Sequence, residues 1–145
     1  MRYSLANYIC TITPTNPTLY SIYGSIVIGG QGTETDSITA SRSQSLFSTS
    51  DFATGGYVHN KNLSKVGNIT VTLSQLSKNV STLKNLINAY TDNDYSGLSI
   101  TISTNDGTEV VTGIDCMPTQ IPQQEFRNSA SNQSYGFTCG EVNFK

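Results

Sequence analysis

Charged residues are scarce in this chain of 145 residues. Lys, Arg, Asp and Glu make up 12% of it, against about 25% in an ordinary soluble domain. Eight basic and ten acidic residues give a formal net charge of -2, and this balance supplies no basic field for binding phosphates. The composition therefore argues against a nucleic-acid-binding protein.

Long apolar runs are also missing. The longest strictly aliphatic run, residues 26–28, is far shorter than the roughly 20 residues that a membrane helix needs. The residues that follow Met1 and Arg2 alternate polar and apolar side chains, unlike the continuous apolar block of a signal peptide. We therefore expect neither membrane insertion nor secretion.

The side chains that usually build metal and disulfide sites are few. There is no Trp, and His59 is the only histidine, which excludes a zinc site with two His ligands. Cys10, Cys116 and Cys139 form no C-x-x-C pair. Free Cys is among the most buried residue types, so we predict buried free thiols in a reducing compartment. A disulfide or a metal site is the alternative, and no cofactor is expected.

Hydroxyl and amide side chains dominate what is present. Nineteen Ser, 19 Thr and 13 Asn add up to 51 residues. Short segments alternate polar and apolar residues, which is typical of half-buried strands. The pattern predicts a mainly β domain over residues 1–145, an antiparallel sandwich or barrel of about seven or eight strands. The predicted strands cover residues 3–12, 19–28, 38–47, 57–63, 67–73, 98–104, 109–117 and 135–144.

The clearest alternation lies in residues 67–73. It predicts that Ile69, Val71 and Leu73 face the core while Thr70 and Thr72 face away.

Two of the predicted strands, 38–47 and 57–63, are expected to form one long hairpin arm over residues 38–63. About ten residues per strand at about 3.3 Å each give a reach of about 33 Å, enough to span most of a neighbouring subunit. An unprotected edge of this kind invites pairing with another copy of the chain.

One helix is predicted, over residues 78–90. Ser77 is a natural N-cap because its hydroxyl can accept a hydrogen bond from a first-turn amide. The apolar residues share one helix face, at spacings of four, three and four. They are Leu76, Val80, Leu83 and Ile87. This face should cover the sheet that carries Ile69, Val71 and Leu73.

No motif predicts catalysis. Ser81 and Lys84 match a Ser-x-x-Lys spacing without any partner motif. Residues 92–97 begin like a calcium-binding EF-hand loop, but Ser103 stands where that loop needs a bidentate Glu. Residues 29–32 are rich in glycine yet lack the Lys-Ser/Thr ending of a phosphate-binding loop. We therefore predict that the protein is not an enzyme.

The order of the elements resembles that of bacteriophage tail tube proteins, most like those of contractile-tailed phages. The resemblance spans residues 3–144 and includes the strand and turn at 24–30 (GSIVIGG), the hairpin at 38–63, and the strand at 67–73 (GNITVTL) running into the Ser77-capped helix. The predicted hairpin turn at Asn105, Asp106 and Gly107 belongs to it as well.

The resemblance implies a structural protein of the virion tail, assembled in the host cytoplasm. In that family a small β-sandwich or barrel flanked by a helix forms hexameric rings, which stack into a hollow tube for DNA passage into the host. The implied partners are further copies of the chain, the tail sheath, the tape measure protein and the baseplate.

Two sets of residues are candidates for these roles. The predicted hairpin tip, expected to contact the next ring, comprises Thr49, Ser50, Asp51, Phe52, Ala53, Thr54 and Gly55. The predicted lumen lining comprises Thr39, Ser41, Ser43, Asn68, Thr70 and Thr72.

Two other functions stay open at this point. A secreted carbohydrate-binding or adhesin-type β-sandwich would suit the Ser, Thr, Asn and Tyr content. The inner tube of a contractile bacteriocin or secretion system differs from a phage tube in context rather than in physics.

Overall fold

A computed structural model of the chain describes residues 8–29, 35–75, 79–104, 107, 109–119, 128–129 and 131–145. Within these ranges the chain forms nine strands and two helices. The strands are β1 (Tyr8–Pro14), β2 (Ile26–Gly29), β3 (Thr35–Arg42), β4 (Phe47–Asp51), β5 (Tyr57–Lys61), β6 (Gly67–Ser74), β7 (Leu98–Thr104), β8 (Val110–Pro118) and β9 (Asn132–Phe144). The helices are α1 (Pro17–Tyr23) and α2 (Asn79–Asp92). The mainly β, antiparallel class is confirmed, whereas the predicted count of seven or eight strands is too low.

Seven strands form one antiparallel sheet in the order β2-β1-β7-β8-β9-β6-β3. The sheet curls like half a barrel. β1 pairs with β7 along its whole length, from Tyr8 opposite Thr104 to Pro14 opposite Leu98. β9 has 13 residues and pairs with β6 through its first part and with β8 through its last part. β2 and β3 are therefore the two edges of the sheet, and β8 and β9 lie at its centre.

The core lies on one face of this sheet. Ile69, Val71 and Leu73 are fully buried, which confirms their predicted orientation, and Thr70 and Thr72 between them are half-buried. The buried face of α2 joins the same hydrophobic cluster through Val80, Leu83, Leu86 and Ile87. Full burial of each such side chain contributes about 1.5–3 kcal/mol, so the sheet and α2 stabilise one another.

A strand was predicted over residues 19–28, but its first half is the helix α1. The side-chain oxygen of Asn16 accepts hydrogen bonds from the amides of Thr18 (2.9 Å) and Leu19 (3.4 Å). Pro17 follows at the first helical turn, where its fixed φ suits a helix and its missing N–H costs nothing. Gly24 ends the helix with a φ of 63°. The prediction of a single helix is therefore wrong, because this cap and proline start another.

The predicted hairpin arm at 38–63 is also wrong in its first strand. β3 pairs with β6 in the main sheet, with Ile38 opposite Val71 and Ala40 opposite Ile69. Both side chains pack against the core, so burial favours the sheet over the arm. The hairpin is the separate pair β4–β5. Each of its strands has five residues, which gives a reach of about 17 Å instead of 33 Å.

The helix predicted at 78–90 is present as α2, while its proposed cap, Ser77, lies outside the described residues, as do Asn105 and Asp106 of the predicted turn. Gly107 adopts a φ of 73° and donates its N–H to the Thr104 carbonyl at 3.1 Å. Within the described part of the chain, neither helix has the length and apolar character needed to cross a membrane.

The three cysteines are free thiols and are buried, as predicted. Cys116 on β8 lies directly opposite Cys139 on β9. The Cys116 thiol donates a hydrogen bond to Cys139, and this bond together with burial raises the pKa of Cys116. Burial alone raises the pKa of Cys10 to about 12. Cys10 and Cys116 therefore remain protonated at neutral pH and act as apolar core residues.

Candidate assembly surfaces

The sheet face opposite the core carries hydroxyl and amide side chains on neighbouring strands. On β3 and β6, Thr39 is paired with Thr70 and Ser41 with Asn68. The alternation of the strands places Thr72 on the same side as Thr70. Five of the six predicted lumen residues are thus brought together. Ser43 lies just beyond β3, where its N–H donates to the Val66 carbonyl at 2.9 Å.

Hydrogen bonds extend this face onto β9. Thr72 Oγ1 and Ser134 Oγ are 3.0 Å apart, and Thr138 Oγ1 donates to Asn68 Oδ1 at 3.3 Å. We call Thr39, Ser41, Asn68, Thr70, Thr72, Ser134 and Thr138 together the hydroxyl face. None of its members is ionisable at neutral pH, so the face is polar and carries no formal charge.

Sequence analysis missed the contribution of Ser134 and Thr138 to this face. The predicted last strand begins at residue 135, whereas β9 begins at Asn132. Buried and more exposed residues alternate along the first part of β9. The buried ones are Gln133, Tyr135, Phe137 and Cys139. What the sequence could not supply is the partner of β9, since β6 lies about sixty residues earlier in the chain.

The β4–β5 hairpin projects without a core of its own. All of its strand residues are exposed. At its tip the Phe52 amide donates to the Gly56 carbonyl at 2.9 Å, and the Gly55 amide donates to the Phe52 carbonyl at 3.0 Å. Gly55 has a φ of 92°, a conformation that side-chain-bearing residues rarely adopt. The predicted tip, Thr49 to Gly55, thus comprises the end of β4 and the turn.

Aromatic side chains concentrate on one face of the hairpin. Phe47, Thr49, Tyr57 and His59 share this face through the pairing of Thr49 with His59. The Tyr57 and His59 rings are 5.2 Å apart, and Thr49 Oγ1 lies 2.9 Å from His59 Nδ1. Phe47 is 54% exposed and Tyr57 is 66% exposed. This face is therefore a candidate for contact with another protein.

Three basic residues lie in or next to the segments that join the hairpin to the main sheet. They are Arg42 at the end of β3, Lys61 at the end of β5, and Lys65 between β5 and β6. Arg42 Nε donates to the Val142 carbonyl at 2.9 Å, and its guanidinium carbon lies 5.8 Å from the Phe144 ring centroid. Lys65 Nζ is 3.4 Å from Glu141 Oε1. Hydrogen bonds from Asn143 and Lys65, with the nearby charges of Lys65 and Arg42, lower the pKa of Glu141.

The residues considered for chemistry are dispersed. Ser81 and Lys84 lie on α2, where Ser81 is exposed. His59 lies on the hairpin, and Asp94 lies in the loop between α2 and β7. In the part of the chain that the structure describes, no three metal-binding side chains come together.

The structure is similar to several solved structures from contractile injection systems. One is the PVC sheath/tube terminator in its extended state, with a TM-score of 0.63 at 16% identity, covering 100% of this chain and 97% of that one. The PVC sheath-tube complex in its extended state gives 0.61 at 15%, covering 100% and 92%. The anti-feeding prophage tube-terminating cap gives 0.60 at 19%, covering 100% and 93%. The chain therefore has the fold of this class of proteins.

The sequence identifies the family within that class. Residues 1–145 match the family model of the bacteriophage PhiTE tail tube protein. The chain belongs to this family and is a structural component of a phage tail tube. A search of curated proteins gives no match.

Proposed function

We propose that copies of this chain join edge to edge into hexameric rings and that the rings stack into the hollow tube of a phage tail. The open edges β2 and β3 support this arrangement, because edge strands are templates for pairing with another chain. Rotational symmetry closes such a head-to-tail contact into a ring. The seven-stranded sheet of one subunit would then continue into that of the next.

The hydroxyl face is the observation that carries the proposal. We assign Thr39, Ser41, Ser43, Asn68, Thr70 and Thr72 to the lumen. A wall of neutral hydroxyl and amide groups stays hydrated and holds no cation that would retain passing phosphates. It also lacks a large apolar patch to which a protein inside the bore could adhere. DNA can therefore move along it without binding.

The hairpin is assigned to the contact between rings, with Thr49 to Gly55 at its tip. Its reach of about 17 Å is less than half the roughly 38 Å diameter expected for a domain of this size. The tip would thus meet the near side of a subunit in the next ring without spanning that subunit.

The remaining partners follow from a tube inside a tail. We propose contacts with the tail sheath, the tape measure protein and the baseplate, and assembly in the host cytoplasm. The fold likeness to a sheath-tube complex supports the sheath contact. None of these roles requires catalysis, and we propose that the protein is not an enzyme.

Electron microscopy of the purified protein tests the proposal. Rings or tubes with six-fold symmetry are the expected result. A protein that stays monomeric at high concentration, and also in the presence of the tail assembly partners, would refute it.

The tube of a contractile bacteriocin or secretion system is a second candidate, favoured by the fold likeness to injection systems that is reported above. Particles purified from the producing cells distinguish the two. DNA-filled heads attached to the tails support the phage role, whereas tails without heads support the other.

A further inference from the structure

Two of the three buried thiols lie next to each other at the centre of the sheet. Cys116 on β8 is directly opposite Cys139 on β9, and a hydrogen bond joins the two thiols. A methyl group built on Gly113 would lie 2.9 Å from Cys116 Sγ and 3.0 Å from Cys139 Sγ. Both sulfur atoms therefore converge beside Gly113 instead of pointing apart.

The spacing of the two strands suits a covalent bond between these sulfurs. Opposite residues of an antiparallel pair have Cα atoms about 4.5 or 5.5 Å apart, depending on their place in the ladder. A disulfide spans Cα distances of about 4.4–6.8 Å. Both antiparallel spacings lie inside this range, so a disulfide can form here without moving β8 away from β9.

Cys10 provides a comparison within the same core. It is as deeply buried as the other two cysteines, but the residues opposite it are Ile28 on β2 and Ile102 on β7. In the sheet, β7 separates the β1 strand of Cys10 from β8. Among the three cysteines of the chain, only Cys116 and Cys139 are therefore placed to oxidise together.

We propose that Cys116 and Cys139 form an oxidation site, at which a peroxide converts the two thiols into a disulfide that joins β8 to β9. The bond itself follows from the fold of a single chain. Only its timing rests on the proposed function. A tube assembled in the reducing host cytoplasm would hold free thiols, and the disulfide would form after the particle has left the cell.

The reaction takes two steps, with hydrogen peroxide as the oxidant. Cys139 accepts the hydrogen bond from Cys116, which lowers the pKa of Cys139 and favours its thiolate as the nucleophile. The Cys139 sulfur attacks one peroxide oxygen and becomes a sulfenic acid. The O–O bond breaks, and the second oxygen leaves as hydroxide, which takes up the proton that Cys139 gave up and becomes water.

The second step forms the disulfide. The Cys116 sulfur attacks the sulfenic sulfur of Cys139, the S–O bond breaks, and the S–S bond forms. The hydroxyl group leaves as water with the proton of the Cys116 thiol. The two sulfurs together lose two electrons, and these electrons reduce one peroxide to two waters.

Treating the purified chain with hydrogen peroxide tests the proposal. Both thiols are fully buried, so peroxide reaches them during local opening of the strands, and the reaction is followed until the thiol count is constant. Free thiols should fall from three to one per chain. Peptide mapping without reductant should show one peptide pair, joined through Cys116 and Cys139.

The disulfide should also stabilise the fold, because it restricts the unfolded chain between the two strands. We expect the melting temperature to rise by about 10 °C and to return to its starting value when dithiothreitol is added. Cys139→Ala should form no disulfide within the chain and show no such rise. Cys10→Ala is the matched control and should form the same disulfide as the wild type.

Two outcomes would overturn the inference. One is a folded wild-type chain that keeps all three thiols under conditions in which the urea-unfolded chain loses them. The other is a disulfide that includes Cys10. Both are read from the wild-type chain, so the test stays decisive even if a variant fails to fold. A chain that forms the expected disulfide but no rings would refute the proposed function and leave the oxidation site standing.

Discussion

At the scale of single residues, the centre of the sheet depends on a glycine. Gly113 on β8 is buried beside the paired thiols. A methyl group at this position would lie 2.8 Å from Ile69 Cδ1, 2.9 Å from Cys116 Sγ and 3.0 Å from Cys139 Sγ. All three neighbours are buried, so none has free space to move into.

Gly113→Ala should therefore lower the free energy of unfolding by about 1–3 kcal/mol, the usual cost of overpacking a core. Gly140→Ala is the matched control, because a methyl group there meets its nearest atoms at 3.6 Å, an ordinary contact. Urea unfolding of both variants measures the difference. Equal midpoints would show that the space around the thiols is not tight.

At the scale of elements, the sequence correctly predicted the segments that have a long regular spacing of apolar residues and a single buried face. The alternation around Ile69 predicted β6, and the spacing of Leu83 and Ile87 predicted α2. α1 has seven residues, too few for helical spacing to stand out, although Asn16 followed by Pro17 is a helix-start signal. The pairing of β3 with β6 could not be predicted, because the alternation of residues within a strand does not show which other strand lies beside it. The hydroxyl face could be predicted in part, since alternation on β6 fixes Thr70 and Thr72.

The hairpin tip gives a prediction at this scale. Deleting Thr49 to Gly55 should leave the fold intact, because none of the removed residues belongs to the core. The same deletion should prevent the stacking of rings. A cooperative thermal melt checks the first expectation, and electron microscopy checks the second. Tubes of normal length from the deleted chain would rule out the role assigned to the tip.

At the scale of the whole molecule, the assignment of the lumen can be tested by charge. Replacing Thr70 and Thr72 with Lys places cations on the hydroxyl face without touching the core. If that face lines the bore, two lysines per subunit would hold DNA phosphates, and genome ejection should slow severalfold or stall in tubes of normal length.

Ejection from phage particles that carry the substitutions measures this effect. Thr70→Ser with Thr72→Ser keeps the wall neutral and should eject at the wild-type rate. A wild-type rate from particles shown to carry the lysines would place this face outside the bore.

If the hairpin makes the proposed contact between rings, the lack of a core under β4 and β5 also affects how tubes begin to grow. A two-stranded hairpin is at best marginally stable alone in water. The free energy of the first contact between rings is therefore reduced by the free energy needed to order the hairpin. Once one ring presents a docking surface, each later ring orders its hairpins against a template. Growth would then show a lag followed by rapid elongation, which keeps free subunits from polymerising before an initiating complex is present.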